Sequence, residues 1–544
     1  MKSRLDARKK LTLNTVTSAA LEIVTIICGF ILPRLILSAF GSETNGLVNS
    51  ITHFLGFISF LNLGVGAVMQ SAFYKPLAEK DNAGVSKVFV SGQKFFTKIG
   101  WILAFYVATL AAVYPLIGNG SFDYFDVALL VVAMSVNMFA QYFFGLADRL
   151  LLTADQKGYI QYTANIIALI LNTAACAVLI MAGASIQIVK LTTSVIFLLQ
   201  PLVLHLYVNR HYELNRRIKY EGEPIRQKWN GVAQHVAAVV WENTDVAVLT
   251  LCADYYSVSV YSVYYMVIGK IKNLVYSMSY GVMALLGEQW AKKETVRLKN
   301  TFARYEWTTG FVTSFTFGCT MMLVTPFIMV YTKGINDAEY LQNTFAILLT
   351  SAMIAYCIGL PYKSIIKAAG EYKKTQHIYI IAAALNVAVS VASVFAWGLI
   401  GVAIGTLVSM AYQTTAMAVF NHKYLVKGTL GLFVKQMSVD ILTVALIYLS
   451  TFWIKLTVVS YLGWLLMAVE VAAIAFTVTA IVNIVFYSKH VFDLFGRILK
   501  KKRSTPARAD DENACAVSGN MQVYGEMDVK FDGRLKTKLK KRGE

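Results

Sequence analysis

The chain has 544 residues, of which 57% are hydrophobic and 15% charged, and its mean hydropathy is +0.55. A soluble domain carries about 25% charged residues, so this composition excludes a soluble globular protein and predicts an integral membrane one. The net charge of +19 does not point to nucleic acid, because the basic residues gather in short polar connections between apolar runs, where they read as membrane-surface charge.

A helix needs about 20 mostly apolar residues to cross the hydrocarbon. That window predicts fourteen spans, at 14–40, 46–69, 95–117, 124–147, 159–182, 188–207, 232–253, 258–287, 307–331, 341–362, 376–397, 399–420, 434–454 and 461–487. With a cytoplasmic N-terminus, only Lys190, Lys333 and Lys455 fall in or beside outer connections. One span more or fewer would scramble this asymmetry, so both termini are expected in the cytoplasm. The outer connections, such as NGSFDYFD (119–126), ADYYSVS (253–259) and WGLIG (397–401), are short. They leave no room for a catalytic loop, and an enzyme is not expected.

The only Gly-Lys pair, Gly269-Lys270, lacks the upstream glycine of a phosphate-binding loop, since Tyr264 stands there. The six cysteines are scattered without metal-ligand spacing, and the seven histidines form no HExxH pattern. No metal or other cofactor is expected.

The two halves of the chain match weakly but repeatedly. At a shift of about 213, Leu77-Ala78-Glu79-Lys80-Asp81 falls on Trp290-Ala291-Lys292-Lys293-Glu294, and Phe89 on Phe302. Asn172 falls on Asn386, and Asn209-Arg210-His211-Tyr212 on Asn421-His422-Lys423-Tyr424, at nearly the same shift. An even number of spans per copy keeps the orientation, which makes a parallel repeat. The expected architecture is therefore all-α: two six-helix bundles, residues 1–220 and 221–425, face each other around a central cavity. Two further helices lie in 426–495. Residues 496–544 are polar and basic at both ends and are expected to be a disordered cytoplasmic tail, with KKKR at 500–503 suited to anionic lipid headgroups.

The run PRLILSAFGSETNGLVNSI (33–51), followed by FLNLGVGAVMQSAFYKPLAEKD (60–81), resembles the start of bacterial polysaccharide-biosynthesis (oligosaccharide) flippases. ENTDVAVLTLCADYYSVSVYSVYYMV (242–267) resembles their seventh and eighth helices. They belong to the multidrug/oligosaccharidyl-lipid/polysaccharide (MOP) exporter superfamily. The second half departs from its own repeat, with VSVYS (258–262) where the first has TNGLVNS (44–50). The resemblance implies a flippase of the bacterial inner membrane. It would turn a glycan on a polyprenyl (pyro)phosphate from the cytoplasmic to the outer leaflet, beside other polysaccharide-assembly proteins. A cation-coupled multidrug exporter and a flippase for the peptidoglycan lipid precursor stay open as alternatives on the same fold.

A diphosphate headgroup cannot cross hydrocarbon unaided, so intramembrane charges are the first candidate site. Arg34, in ILPRLILSAFG (31–41), lies roughly 10 Å deep at 1.5 Å per residue. It either faces a cavity or snorkels to the surface, and Pro33 before it predicts a kink. Lys270 sits near the middle of the eighth span, in a stripe with Ser262, Asn273 and Ser277. Lys272 lies about 200° further round the helix. These three bases are the candidate diphosphate ligands, with an ion pair from Lys270 to Glu242 or Asp245 as the structural alternative. His235, Glu242 and Asp245 share one face of the seventh span, and Glu22 lies in the first. These acids either balance the bases or carry a coupling H+ or Na+. Asn137, Gln141, Asn165 and Asn172 bond between helices or contact sugar, as do Tyr264 and Tyr276 by stacking. The related flippases carry basic groups in their first and eighth helices, which adds weight to Arg34 and Lys270.

Overall fold

The computed structural model describes residues 2–61, 65–117, 122–219 and 232–503. The chain starts with α1 (Lys2–Gly56), which is helical on both sides of Gly41 but not at it, where φ is +81°. Glycine tolerates that conformation at little cost, so α1 is two legs meeting at a corner. The predicted kink at Pro33 is displaced: the helix continues through the proline and breaks at Gly41.

The second leg of α1 passes through a 3-10 turn (Phe57–Leu61) towards α2 (Val65–Glu79). Next come α3 (Asn82–Ile117) and α4 (Tyr124–Ala140), which runs through a π-turn into α5 (Leu146–Ala154). The N-terminal half ends with α6 (Gly158–Met181) and α7 (Ile186–Phe197), continued by α8 (Leu199–His211). The C-terminal half opens with α9 (Val232–Cys252), then α10 (Tyr255–Ser277) continued by α11 (Ser279–Ala291). It goes on with α12 (Thr295–Tyr331), α13 (Asn343–Ile358) continued by α14 (Leu360–Ala368), α15 (Tyr372–Trp397) and α16 (Leu399–Phe420). Last are α17 (Leu430–Thr451) and α18 (Tyr461–Arg503).

Continued pairs taken as single legs, this gives fourteen legs and, among the described residues, no strand. Eleven helical stretches are long and apolar enough to cross a membrane. The second leg of α1 with α2, α9, and α10 with α11 do not meet that standard by themselves. They lie where the halves meet. The helix of α18 also outruns its predicted end, continuing past a break at Tyr487 to Arg503. Residues 504–544, most of the expected tail, lie outside the described residues.

Corresponding helices pair in the same way in both halves. α1–α6, α3–α4, α4–α7 and α6–α7 recur as α9–α15, α12–α13, α13–α16 and α15–α16. The α15–α16 pair is tight because Gly401 and Gly405 face Ser393 and Ser390. A Cβ on Gly405 would stand 2.1 Å from Ser390 Oγ and 2.7 Å from its backbone nitrogen. Small residues four apart let helix backbones approach where lipid supplies no hydrophobic drive. α17 and α18 pack on α12: Ser314 donates to Asp440 of α17 at 3.3 Å, while Trp307 Nε1 donates to Asn483 Oδ1 of α18 at 2.9 Å and Trp464 Nε1 of α18 to the Leu323 carbonyl at 3.1 Å.

The connections at one face of the bundle carry most of the lysine and arginine; we call it the basic face. There Asp155, at the α5–α6 turn, accepts from Lys157 Nζ at 2.8 Å and from the Tyr212 hydroxyl at 2.5 Å, with Lys10 Nζ at 3.6 Å. Burial pushes this carboxyl up, but the hydrogen bonds from Lys157 and Tyr212 and the charges of Lys157 and Lys10 outweigh it and hold the pKa below the ordinary value. A depressed folded pKa contributes stability above the unfolded value and loses it as pH falls through the folded one. Asp155→Asn should therefore cost on the order of 1 kcal/mol at neutral pH. In thermal unfolding, its gap from the wild type should close as pH falls below the ordinary carboxylate range, and a gap independent of pH would contradict this.

Candidate functional site: a polar seam and a buried lysine pair

The halves meet along the second leg of α1, which lies against α9 and α10. At the corner, Asp337, from the connection between α12 and α13, accepts from Ser42 N and from Ser42 Oγ, both at 2.6 Å. It caps the first turn of the new leg from across the seam, with its negative charge on the helix N-terminus. Donor assignments then propagate. Ser42 donates to Asp337, so it accepts from the Tyr340 hydroxyl at 2.7 Å; Tyr340 accepts from Ser259 Oγ at 3.0 Å, and Ser259 from Asn45 Nδ2 at 2.8 Å. The chain Asn45→Ser259→Tyr340→Ser42→Asp337 crosses the seam and ends on a carboxylate, so each bond polarises the next.

Further along the same leg, Gly46 meets the backbone of Tyr255; a Cβ there would sit 1.8 Å from its carbonyl oxygen. Then Tyr114 donates to Ser50 at 2.6 Å, Ser50 to Thr250 at 2.5 Å, and Thr250 to the Val246 carbonyl at 2.8 Å. Last, Asn243 donates from Nδ2 to the Val239 carbonyl at 2.8 Å, so its Oδ1 accepts from His53 Nδ1 at 2.9 Å. From Ser42 to His53 the seam covers about 17 Å of helix. It starts at the face opposite the basic one and reaches towards mid-bundle.

Beyond it, towards the basic face, the C-terminal half holds two buried lysines. Lys272 and Lys363 are each 7% exposed. Lys272 Nζ donates to the Tyr265 hydroxyl at 3.1 Å and lies 5.4–5.5 Å from the ring centres of Trp241, Tyr265 and Tyr356. Lys363 Nζ sits 4.0 Å from the ring centre of the same Tyr356. Trp241 and Tyr356 stack at 5.5 Å with a 6° interplanar angle. Among the described residues neither lysine has a carboxylate within ion-pair distance. Aromatic faces attract a cation with about 0.5–2 kcal/mol each, less than the several kcal/mol that burying an ammonium costs. The pair is therefore short of negative charge, as a site for an anion must be.

Asp245 on α9 is likewise buried, and no base touches it. It accepts from Thr406 Oγ1 at 2.7 Å, the Tyr261 hydroxyl at 2.8 Å and Asn386 Nδ2 at 3.3 Å. Asn386 Oδ1 beside it is buried without a partner. Tyr261 stacks on Tyr265 at 5.7 Å, so the carboxylate and Lys272 are joined through two tyrosines without touching.

The predicted residues fall into three groups. Lys272 and Asp245 stand in these buried clusters. Lys270 is half-exposed on another side of α10 and pairs with neither Glu242 nor Asp245; Glu22 and Glu242 are exposed. Arg34 is not brought to Lys270 in this conformation. Its Nη2 donates to the Lys333 carbonyl at 2.7 Å at the face opposite the basic one, with Nη1 buried and unpartnered. Lys270 is fifteen residues down α10 from that face, about 22 Å.

Among the amides, Gln141 donates to Gln200 Oε1 at 3.1 Å and Asn172 accepts from Cys176 at 3.3 Å, while Asn137 and Asn165 are half-buried. Tyr264 is fully buried and pins the seam connection, donating to the Tyr340 carbonyl at 2.8 Å; Tyr276 is half-buried against Tyr280. The His235 side chain lies outside the described residues.

Sequence reasoning missed Lys363, one residue past a predicted span end; the helix runs on to Ala368 and buries it. It also missed His53, the half-buried Glu306 of α12 and the buried Asp440 of α17. Glu306 accepts from the Tyr362 hydroxyl, and Asp440 from Gln436 and Ser314.

No family model and no curated protein matches the sequence. Among solved structures, the lipid II flippase MurJ in an inward closed conformation is similar, with TM-score 0.66 and 17% identity over 88% of this chain and 100% of that one. An inward-facing multidrug resistance MATE family transporter of the MOP superfamily gives 0.58 and 13% over 75% and 97%. A MOP superfamily transporter from Pyrococcus furiosus, titled for the reverse polarity of its binding pocket, gives 0.53 and 13% over 77% and 95%. The chain thus has the fold of MOP superfamily transporters.

The seam predicts its own cross-link. With Ser50 Oγ 2.5 Å from Thr250 Oγ1, cysteines at both positions stand within disulfide reach. Ser50→Cys with Thr250→Cys should give the bridged peptide by mass spectrometry on mild oxidation. Failure to bridge would mean that the halves do not rest together here.

Proposed function

We propose that this protein is a flippase. It carries a polyprenyl-(pyro)phosphate-linked oligosaccharide from the cytoplasmic to the outer leaflet of a bacterial cell membrane, for surface polysaccharide assembly, without catalysing a reaction. The basic face is cytoplasmic, with both termini on it, and the two six-helix halves rock about the seam. The observation that carries the reading is the pair of buried lysines, Lys272 and Lys363, sharing the ring of Tyr356 with no carboxylate within ion-pair distance among the described residues. They lie on the cytoplasmic side of a seam that is closed at the outer end, where a headgroup arriving from the inner leaflet would meet them. The diphosphate supplies the missing negative charge, Lys270 adds to the field, and the rings of Trp241 and Tyr356 give flat apolar faces to a sugar. Arg34, tied to the outer connection, enters only when the seam opens and then meets the departing anion. The membrane potential, negative inside, favours that exit by about 2.3 kcal/mol per charge per 100 mV.

Asp245 is the coupling group in this reading. A buried carboxylate with no base, beside the unpartnered Asn386 Oδ1, offers oxygen ligands suited to a proton or a hard monovalent cation. Exposed Glu22 and Glu242 add negative charge near the path.

The peptidoglycan-precursor variant is favoured by one observation, the likeness to a lipid II flippase at TM-score 0.66. A multidrug exporter would take mostly cationic cargo, which a lysine pair repels.

Lys272→Gln and Lys363→Gln each remove a charge-assisted contact worth ~1.5–3 kcal/mol. Each should cut glycan export about 10- to 100-fold at normal protein level, with lipid-linked glycan accumulating on the cytoplasmic leaflet. Normal export by both variants would remove the pair from the mechanism; drug sensitivity with unchanged surface glycan would favour the multidrug reading.

A further inference from the structure

A second cationic feature lies in the N-terminal half, on the basic face and away from the seam. A cavity of about 430 Å³ is lined by Val90 and Lys94 of α3 and by Arg216, Arg217, Ile218 and Lys219 from the segment after α8. Four of these six residues are basic and none is acidic.

The segment is held in place at several points. Tyr212 is fixed by Asp155 and Lys157, and the Asn215 backbone N–H donates to Ser86 Oγ at 3.0 Å. The Arg217 N–H donates to Asn215 Oδ1 at 3.1 Å, making a local turn. The Arg216 guanidinium lies 5.7 Å from the ring centre of Phe89 and donates to Asn209 Oδ1 at 2.5 Å. Arg216, Arg217 and Lys219 are nevertheless exposed at the cavity. Among the described residues, the nearby carboxylates hydrogen-bond to other groups, although the charge of Asp148 also reaches Arg216. Asp155 is taken by Lys157 and Tyr212, Asp148 by His205 at 2.8 Å, and Glu213 by Asn82 at 3.1 Å.

The depth fits a headgroup. α3 has 36 residues, about 54 Å of helix, against a hydrocarbon core of about 30 Å. Its first turns therefore stand clear of the hydrocarbon, and Lys94, followed one turn later by exposed Lys98, lies near the level of lipid phosphates.

We propose that this cavity is a binding site for a phosphate-bearing anion at the membrane surface, separate from the lysine pair and independent of the cargo. Held cations converging on one hollow with no acid among them match a phosphate group, which arginine grips in a fork. The source is either an anionic phospholipid headgroup or a soluble phosphate compound. Because the segment leads into the connection between the halves, an occupant would brace it against α3.

The test uses the full chain. Retention of phosphatidylglycerol over phosphatidylcholine is measured by native mass spectrometry, and binding of inorganic pyrophosphate by calorimetry. The variant is Arg216→Gln with Arg217→Gln and Lys219→Gln; these side chains are exposed, and Arg217→Glu alone serves as a second variant. The control removes equal charge from the other half, with Lys299→Gln, Lys373→Gln and Lys423→Gln. At about fivefold per cation, the first triple variant should weaken the responding ligand by roughly 100-fold, with the control within about twofold. A response to phosphatidylglycerol alone assigns the site to lipid, and a response to pyrophosphate assigns it to a soluble anion. Absence of both responses in the wild type, or equal losses in the two triple variants, would show diffuse surface charge and overturn the proposal.

Discussion

The structure depends on one constraint: a polar group inside a membrane bundle must find its partner within the protein or in water that the protein admits. The seam meets it by lending partners across the halves. Ser42, Asn45, Ser50 and His53 are satisfied by Asp337, Ser259, Thr250 and Asn243. Those bonds make the seam, at the end opposite the basic face, specific in register, since each donor has one acceptor to face. They also make it separable, because hydroxyls and amides that part can be rehydrated, whereas an interdigitated apolar seam would reopen less readily. Two of the three legs that carry the seam, α9 and α10 with α11, are accordingly not apolar enough to count as spans by themselves.

The charges are sorted by the same logic. Asp245 is surrounded by hydroxyl and amide donors, and Lys272 by aromatic faces and a phenol. Had they touched, the ion pair would have neutralised both and left little for a ligand to do. Kept apart by the Tyr261–Tyr265 stack, they form no ion pair; in the proposed function each then has a charge left for a ligand, Asp245 for a cation and Lys272 for an anion. This separation is what a coupled carrier of an anionic headgroup needs, because loading one site changes the field at the other while no direct bond has to break.

Much of this was legible in the sequence, and for a plain reason. Twenty-residue apolar windows and the lysine asymmetry are strong signals, so all fourteen legs were found, with the first two separated over 41–45, where Gly41 makes the corner. The repeat was visible in Asn172 and Asn386, which occupy matching helices α6 and α15. Side-chain destinations were less legible. For Arg34 the sequence left a cavity and the surface both open; its reach along the helix ends on a loop carbonyl almost 300 positions away, at Lys333, a partner that no local pattern announces. Lys363 was overlooked because it stands one residue beyond an apolar run; burial there comes from α14 continuing as a helix, a tertiary effect. Tyr264 read as a stacking surface, yet its hydroxyl serves the Tyr340 carbonyl. Composition tells that a tyrosine is in the membrane and not which side of it stays open.

The account stands or falls on reciprocal motion of the halves. Spin labels at exposed Ser185 and Leu341 report the end opposite the basic face, the outer end in the proposed orientation, and labels at exposed Lys87 and Lys299 the basic face. Double electron–electron resonance in nanodiscs, before and after lipid-linked glycan is added, should show the outer distance lengthening while the basic-face distance shortens. Active protein in which both distances lengthen together, or neither moves, would contradict the account.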